Sequence, residues 1–191
     1  MNVKDKKGVD VSSNNGKVDF GKIKAAGYDF VMIRCGFGEN IPEQDDTFWE
    51  ENVRKAEAAN MPWGAYFYSY ACSEASAKSE LEHVLRLLKG KRPTLPVALD
   101  MEDADGWKKK NGWTPEKRCV SDITITYCSA LEAAGYYAGV YLSYSWLKYL
   151  DSNTARYDRW IAHWGSNDGK RHGDYKAYGS IHQFTSKPLD R

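Results

Sequence analysis

The sequence predicts an α/β fold, a barrel of parallel strands whose last part is irregular. Over the first two thirds of the chain, segments with strand spacing alternate with segments with helical spacing. After that, strands follow one another with loops between them. No linker, repeat or low-complexity tract divides the 191 residues, so we expect one domain over residues 1–191 with its core from about Lys7 onward.

The predicted strands have alternating or continuous apolar spacing. In the first strand Val9 and Val11 share one face, and Asp10 and Ser12 share the other. The second strand is continuously apolar until Arg34, as expected of a strand covered on both faces. The seven predicted strands span residues 8–12, 29–35, 63–70, 95–102, 137–143, 159–164 and 179–185.

The predicted helices have residues at their ends that favour starting or stopping a helix. Gly27 ends the first helix, and a Ser73/Ser76 capping region opens the third. Thr114 and Pro115 give the long fourth helix a cap and a proline in its first turn. The five predicted helices span residues 19–26, 46–60, 73–88, 114–134 and 145–150.

The composition excludes some classes of partner and favours one. Lys plus Arg is 27 against 26 for Asp plus Glu, so no strong field favours nucleic acid or an anionic membrane. No segment is apolar for long enough to span a bilayer, and residues 1–7 lack the apolar core of a signal peptide. Seven Trp and thirteen Tyr are many for this size, and flat rings with a polar edge suit the faces of sugars.

The cysteines and histidines indicate neither a disulfide framework nor a metal site. Four cysteines are too few to staple a chain of this length. There is no C-x-x-C motif and no group of histidines at metal-ligand spacing. We therefore expect free thiols, no metal and no cofactor.

The fourth strand, residues 95–102, ends in two carboxylates that are one residue apart. Because side chains alternate faces along a strand, Asp100 and Glu102 project to the same side. An apolar strand that closes on paired acids favours an active site at the carboxyl edge of a parallel sheet. A solvated acidic turn is the other interpretation, because two more aspartates follow at once. The apolar side chains that project to the opposite face are Val97, Leu99 and Met101.

Seven sequence blocks, in this order and spacing, resemble glycoside hydrolase family 25, the N-acetylmuramidases found among bacterial autolysins, secreted bacterial lysozymes and phage endolysins. The resemblance covers essentially the whole chain. It implies an irregular TIM-like barrel, about five βα units followed by three strands with little helix, with a cleft at the strand carboxyl ends. The blocks are residues 8–13, 30–36, 64–68, 99–102, 139–143, 160–164 and 182–186.

The resemblance also assigns four acidic residues. The first-strand aspartate of the family matches Asp10, and its D-x-E pair matches Asp100 and Glu102. A fourth acid, in a Pro-hydrophobe-Asp sequence, matches Asp190. The sequence stops one residue later, at Arg191, so we expect either a truncated domain or a natural end there.

Cleavage of a glycosidic bond needs a proton donor and a negative charge beside an oxocarbenium-like centre. We expect Glu102 to be the general acid, with its pKa raised by the neighbouring acids. Asp100 is then the ionised partner, either as direct nucleophile or as the group that orients the substrate's own 2-acetamido group; the resemblance favours the second role. Asp10 would position Asp100 or the acetamido nitrogen.

Further residues are candidates for sugar contacts or for support of the acids. Arg34 is a candidate substrate-binding residue that is predicted to pair with one of these carboxylates, with a surface position as the alternative. The run Lys108–Lys110 is predicted to be a solvated loop. The candidate sugar contacts, each with core packing as its alternative, are Tyr66, Tyr68, Tyr141, Trp164 and Gln183.

The predicted function is hydrolysis of the β-1,4 bond between N-acetylmuramic acid and N-acetylglucosamine in peptidoglycan, by a monomer without cofactor, membrane or nucleic-acid partner. A chitinase or endo-N-acetylglucosaminidase is the first alternative, but those enzymes resemble a longer D-x-x-D-x-D-x-E run, and residues 97–99 are apolar here. A non-catalytic glycan-binding barrel is the second. The enzyme would act on the bacterial cell wall, reached from a phage host's cytoplasm at lysis or by secretion with the leader removed.

Overall fold

Seven parallel strands form one sheet, in which each strand hydrogen-bonds to the next in chain order. The structure, a computed structural model, describes residues 6–187. The strands are β1 Gly8–Val11, β2 Phe30–Phe37, β3 Trp63–Tyr68, β4 Val97–Asp100, β5 Ala138–Ser143, β6 Asp158–Ala162 and β7 Ile181–Gln183.

Five α-helices lie in the connections between the first five strands. They are α1 Phe20–Ala25, α2 Trp49–Ala58, α3 Glu74–Leu88, α4 Trp107–Lys110 and α5 Lys117–Ala133. Short 3-10 helices cover Ser13–Asn15, Pro42–Gln44, Tyr144–Tyr149 and Ser152–Thr154. None of the helices within residues 6–187 has both the length and the apolar character that a membrane crossing requires.

The predicted α/β class and the irregular barrel are confirmed. The sheet curls into a half-barrel, in which β5 is followed by a 3-10 helix and no α-helix lies between β6 and β7. The eighth strand implied by five βα units plus three strands is not found in the described part of the chain. Edges β1 and β7 nevertheless approach each other, since the Gln183 amide donates a hydrogen bond of 3.0 Å to the Asp10 carboxylate.

The two faces of the sheet bury different sets of side chains. The outer face packs against α2, α3 and α5, and it carries Val97, Leu99 and Met101, each with no exposed surface. This confirms the alternation predicted for β4. The inner face carries a smaller cluster inside the curl, with Met32, Ala98, Tyr141, Trp160 and Ala162 at its centre.

The start of α5 differs from the prediction. The helix begins at Lys117 rather than beside Thr114, and Glu116 is its N-cap with an extended backbone (φ −120°, ψ 145°). Pro115 therefore precedes the helix and does not occupy its first turn. Pro115 disfavours the helical conformation at Thr114, and just upstream the Trp113 ring packs against Trp146 at 6.2 Å.

The run of three lysines also differs from the prediction of a solvated loop. Residues Trp107–Lys110 form the single turn α4, and Lys108 has no exposed surface, while Lys109 and Lys110 are exposed. The Asp103 carboxylate folds the preceding loop by accepting the backbone N–H groups of Lys108 at 2.8 Å and Lys109 at 3.1 Å.

The start of α3 follows the predicted capping pattern. Ser73 is the N-cap, and its hydroxyl accepts the backbone N–H of Ser76 at 3.2 Å. The Ser76 hydroxyl in return accepts the backbone N–H of Ser73 at 3.0 Å, which completes a capping box.

We expect Ser73→Ala to lower the free energy of unfolding by about 1 kcal/mol, because an N–H in the first turn of α3 loses its acceptor. Chemical denaturation of the purified protein measures this loss. Ser79→Ala is the matched control, since Ser79 is exposed within the same helix and should leave the denaturation midpoint nearly unchanged. Equal midpoints for the two variants would contradict the capping role.

Candidate active site

The candidate site lies at the carboxyl edge of the sheet, where β4 ends at Asp100. Parallel pairing places Tyr68 of β3 and Tyr141 of β5 beside Asp100 on the same inner face. Glu102 lies two residues beyond the strand end and is only half-buried. The paired acids therefore face the inside of the curl, whereas the apolar side chains between them face the helices.

Asp100 is buried, with 4% of its surface exposed. Its Oδ1 has no hydrogen-bond partner in residues 6–187. Burial raises the pKa of Asp100 well above its usual value, and the nearby Glu102 and Asp10 charges add to this effect. The positive charges of Lys108 and Arg34 oppose it.

The pKa of Glu102 is raised to about 7. Burial is the largest cause, and the charges of Asp105, Asp10 and Asp103 add to it, while Lys108 opposes it. The predicted direction is therefore right, but desolvation contributes more than the neighbouring acids that the prediction invoked.

Asp100 and Glu102 form an interacting pair, so their protons belong to the pair rather than to either residue. Both pKa values are raised. The pair therefore keeps a proton to higher pH than free carboxyl groups do, and acid-assisted glycoside cleavage needs such a proton donor.

A hydrogen-bond network centred on Gln183 joins four predicted site residues. The Gln183 amide N–H₂ donates to Asp10, and its Oε1 accepts from the Tyr141 hydroxyl and the Trp164 indole N–H, both at 2.9 Å. Burial raises the pKa of Asp10, and the bond from Gln183 opposes that rise. The first and last described strands thus contribute to one site through side chains 173 residues apart.

The tyrosine and tryptophan candidates lie at different depths. Tyr141 is buried and packs edge-on against Trp160 at 4.7 Å, and the Tyr66 ring packs against Trp160 at 5.7 Å. Tyr68 is half-buried and faces Glu102 and Asp105, whose charges add to burial in raising the pKa of its phenol. Trp164 is 39% exposed, so its ring is the most accessible of these candidates to a glycan.

Arg34 forms neither the predicted ion pair nor a surface side chain. Its Nε pairs with the Asp46 carboxylate at 2.8 Å, and its second guanidinium nitrogen donates to the Ser13 hydroxyl at 2.8 Å. The prediction of a pair with Asp10, Asp100 or Glu102 is therefore wrong. Arg34 instead bridges two loops. It contacts Ser13, in the loop after β1, and Asp46, shortly before α2.

Beside Glu102, the sequence predicted that Tyr70 shares a face with Tyr66 and Tyr68 and could line a sugar cleft, with core packing as the alternative, but it missed the contacts of Asp105 and Trp107 with Tyr70. The Tyr70 hydroxyl donates to Asp105 at 2.7 Å, and the Trp107 ring lies 5.0 Å from the Tyr70 ring. Trp107 is 43% exposed. An exposed aromatic ring beside a hydrogen-bonded carboxylate suits contact with a sugar. The available signal was the occurrence of an acid and a tryptophan within five residues of Glu102.

Two buried charged residues near the site were also missed. Glu80 of α3 accepts the Ser69 hydroxyl at 2.6 Å and the Tyr70 backbone N–H at 2.7 Å, and burial raises its pKa to about 7. Its position within the apolar stripe of α3 was a sequence signal for a buried acid. Lys108 donates to the Glu102 backbone carbonyl at 2.8 Å, and no spacing in the sequence indicated that contact.

Three remaining predictions concern Asp190, metal binding and the cysteines. Asp190 lies outside the described residues, and its role stays a prediction. Within residues 6–187, no group of three or more His, Cys, Asp or Glu side chains could hold a metal ion. The four cysteines are free thiols.

Solved structures of two endolysins and an autolysin share this fold. The CTP1L endolysin is 23% identical with a TM-score of 0.76, and the match covers 95% of this chain and 60% of that one. The autolysin LytC from Streptococcus pneumoniae is 22% identical with a TM-score of 0.76, over 95% of this chain and 42% of that one. The catalytic domain of endolysin ply40 from bacteriophage P40 of Listeria monocytogenes is 22% identical with a TM-score of 0.72, over 94% and 84% of the two chains.

At these identities the structural matches establish the fold. The chain spans 60% of the CTP1L endolysin and about two fifths of LytC. No curated protein matches the chain. The family model described as "Glycosyl hydrolases family 25" matches residues 9–190. Because that match spans nearly the whole sequence, the chain belongs to glycosyl hydrolase family 25.

Proposed function

We propose that this chain is a peptidoglycan hydrolase, an N-acetylmuramidase that cleaves the β-1,4 bond between N-acetylmuramic acid and N-acetylglucosamine. The observation that carries the proposal is the Asp100/Glu102 pair, desolvated at the carboxyl edge of β4 in a chain of this family. The S. pneumoniae autolysin, which shares the fold, has been solved in complex with a synthetic peptidoglycan ligand.

In the first step Glu102 acts as the general acid. It donates its proton to the glycosidic oxygen while the bond from that oxygen to C1 of N-acetylmuramic acid breaks. The carbonyl oxygen of the sugar's own 2-acetamido group bonds to C1 and forms an oxazolinium ring. The Asp100 carboxylate accepts the acetamido N–H and stabilises the positive charge of the ring.

In the second step Glu102 acts as the general base. Its carboxylate takes a proton from a water molecule that attacks C1, the ring opens, and the acetamido group and Glu102 return to their starting states. Asp10, held by Gln183, would position Asp100 or the acetamido nitrogen. Asp190 would be the fourth acid of the cleft.

The aromatic side chains around the acids would supply sugar contacts. Trp164 and Trp107 are the two exposed rings of the site, on opposite sides of the acidic pair along the sheet edge. Tyr66 and Tyr141 would shape the cleft from inside, since both rings pack against Trp160. We propose that the protein works as a monomer on the bacterial cell wall and needs neither a membrane nor a nucleic-acid partner.

We expect Glu102→Gln to lower the rate of wall hydrolysis by about 10³-fold, because the amide cannot donate the catalytic proton. Turbidity loss of Gram-positive cell walls measures the rate, and muramic acid at the new reducing ends identifies the bond. Glu82→Gln is the control, since Glu82 is an exposed acid of α3 that makes none of the contacts of the candidate site. A Glu102→Gln variant that lyses walls at the normal rate would reject the assignment. Reducing ends of N-acetylglucosamine would instead indicate a glucosaminidase.

We expect kcat/KM on a short soluble glycan to fall as the pH rises through about 7, because the raised pKa of Glu102 marks where the acid loses its proton. The rate should also fall on the acidic side, where a second proton enters the Asp100/Glu102 pair and removes its negative charge. A bell-shaped pH profile is the expected result. A rate that continued to rise well above neutrality would contradict a protonated glutamic acid as donor.

We expect the rate to depend on the nucleophilicity of the acetamido oxygen if that oxygen attacks C1. Glycans whose muramic acid carries N-fluoroacetyl, N-difluoroacetyl or N-trifluoroacetyl groups should be cleaved progressively more slowly, because fluorine withdraws electron density from the carbonyl oxygen. Steady-state kcat across the series measures this dependence. A kcat that is insensitive to fluorination would assign the attack to the Asp100 carboxylate.

A further inference from the structure

Lys108 is a buried cation directly behind the candidate acids. It has no exposed surface, whereas Lys109 and Lys110 of the same helical turn are exposed. Lysine is almost never fully buried unless its ammonium is paired, because desolvation of the charge costs free energy. Its contacts should therefore explain its position.

The ammonium of Lys108 contacts the main chain of the site. Its Nζ donates to the backbone carbonyl of Glu102 at 2.8 Å and lies 3.7 Å from the Met101 sulfur. It lies 5.5 Å from the centre of the Trp113 ring, at cation–π distance. Within residues 6–187 it forms no direct ion pair with a carboxylate. Its charge therefore acts on the acids at a distance, from the side of the main chain that faces the helices.

The segment between β4 and α4 is folded so that Lys108 returns to Glu102. Asp103 accepts the backbone N–H groups of Lys108 and Lys109, which closes the turn from one side. The bond from Lys108 Nζ to the Glu102 carbonyl closes it from the other. Glu102 is one residue beyond the last backbone bond of the sheet here, from Met101 N–H to the Tyr141 carbonyl at 2.9 Å, so this loop adds a second constraint on its position.

Acidic groups face the Lys108 ammonium from three elements. They are Glu80 of α3, Asp100 of β4 and Asp103 of the loop after β4, with the Cys72 thiol before α3 as a further titratable group. Burial lowers the pKa of Lys108, and these groups oppose that change. Arg34 is the other cation that acts on Asp100.

We propose that Lys108 is a positioning residue for the hydrolysis proposed above: its ammonium anchors the main chain at Glu102 and places one positive charge behind the Asp100/Glu102 pair. The inference rests on that proposed function. Lys108 lies on the helix side of β4 and does not contact the substrate.

The sign of the electrostatic effect follows from the charge. A nearby cation stabilises carboxylates, so Lys108 lowers the pKa of both Asp100 and Glu102. Without it, both should lose their protons at higher pH, and both limbs of the pH profile should move in the alkaline direction. The other charged or titratable groups that act on Glu102, and that the variants leave in place, are Asp10 of β1, Tyr68 of β3, Asp100 of β4, Asp103 and Asp105 of the following loop, and Tyr141 of β5.

Two variants separate the charge from the hydrogen bond. Lys108→Met keeps an unbranched apolar stem but has neither a charge nor an N–H donor. Lys108→Gln keeps a donor, one bond short, and has no charge. We expect both to shift the pH profile of kcat/KM to higher pH by about one unit. We expect kcat to fall about tenfold in Lys108→Met, less in Lys108→Gln, with KM little changed in either.

Lys109→Met is the matched control, since it removes a charge from the exposed side of the same turn. It should leave kcat and the pH profile unchanged. Active Lys108 variants with an unshifted profile, or a profile shifted equally by Lys109→Met, would overturn the inference. An inactive wild-type protein would instead reject the proposed function, so the two failures are distinguishable.

A measurement on the wild-type protein covers the case in which neither variant folds. The side-chain ¹⁵N resonance of Lys108 reports whether its nitrogen is an ammonium. We expect it to stay charged across the pH range of activity. A neutral amine at the pH of maximal rate would overturn the inference without any substitution.

Discussion

Desolvation of two carboxyl groups at the end of one strand is the constraint on which the rest of the site depends. Asp100 is fixed by β4 between neighbouring strands, and Glu102 lies where the sheet no longer holds the chain. Burial raises both pKa values, so the pair keeps a proton to higher pH than exposed carboxyl groups would. The outer apolar core makes this possible, because Leu99 and Met101 anchor the alternate positions of the same segment.

The elements around the pair hold it from opposite sides. On the inner side, the Gln183 amide joins Asp10 to Tyr141 and Trp164. One side chain of β7 thus links β1 to β5 and to the segment after β6. On the helix side, Glu80 holds the chain after β3. Amide and hydroxyl donors satisfy the buried oxygen atoms there, which limits the free-energy cost of placing acids in a dry environment.

The sequence was sufficient where local rules decide the outcome. Alternation along β4 correctly predicted which side chains face the core, and the Ser73/Ser76 pattern correctly predicted a cap. It was insufficient where a distant contact decides. Arg34 could have paired with any acid near the sheet edge, and only the folded loop selects Asp46. Likewise, nothing local distinguishes Lys108 from Lys109, because its burial depends on Trp113 and on the return of the chain to Glu102.

The bond between Gln183 and Asp10 has a consequence for the biosynthesis of this chain. The amide that holds the first-strand acid belongs to the last described strand, so it emerges from the ribosome long after β1. A nascent chain released before β7 would carry Asp10, Asp100 and Glu102 without the partner that holds the first of them in place. The geometry around Asp10 is therefore completed only when nearly all of the chain has been synthesised.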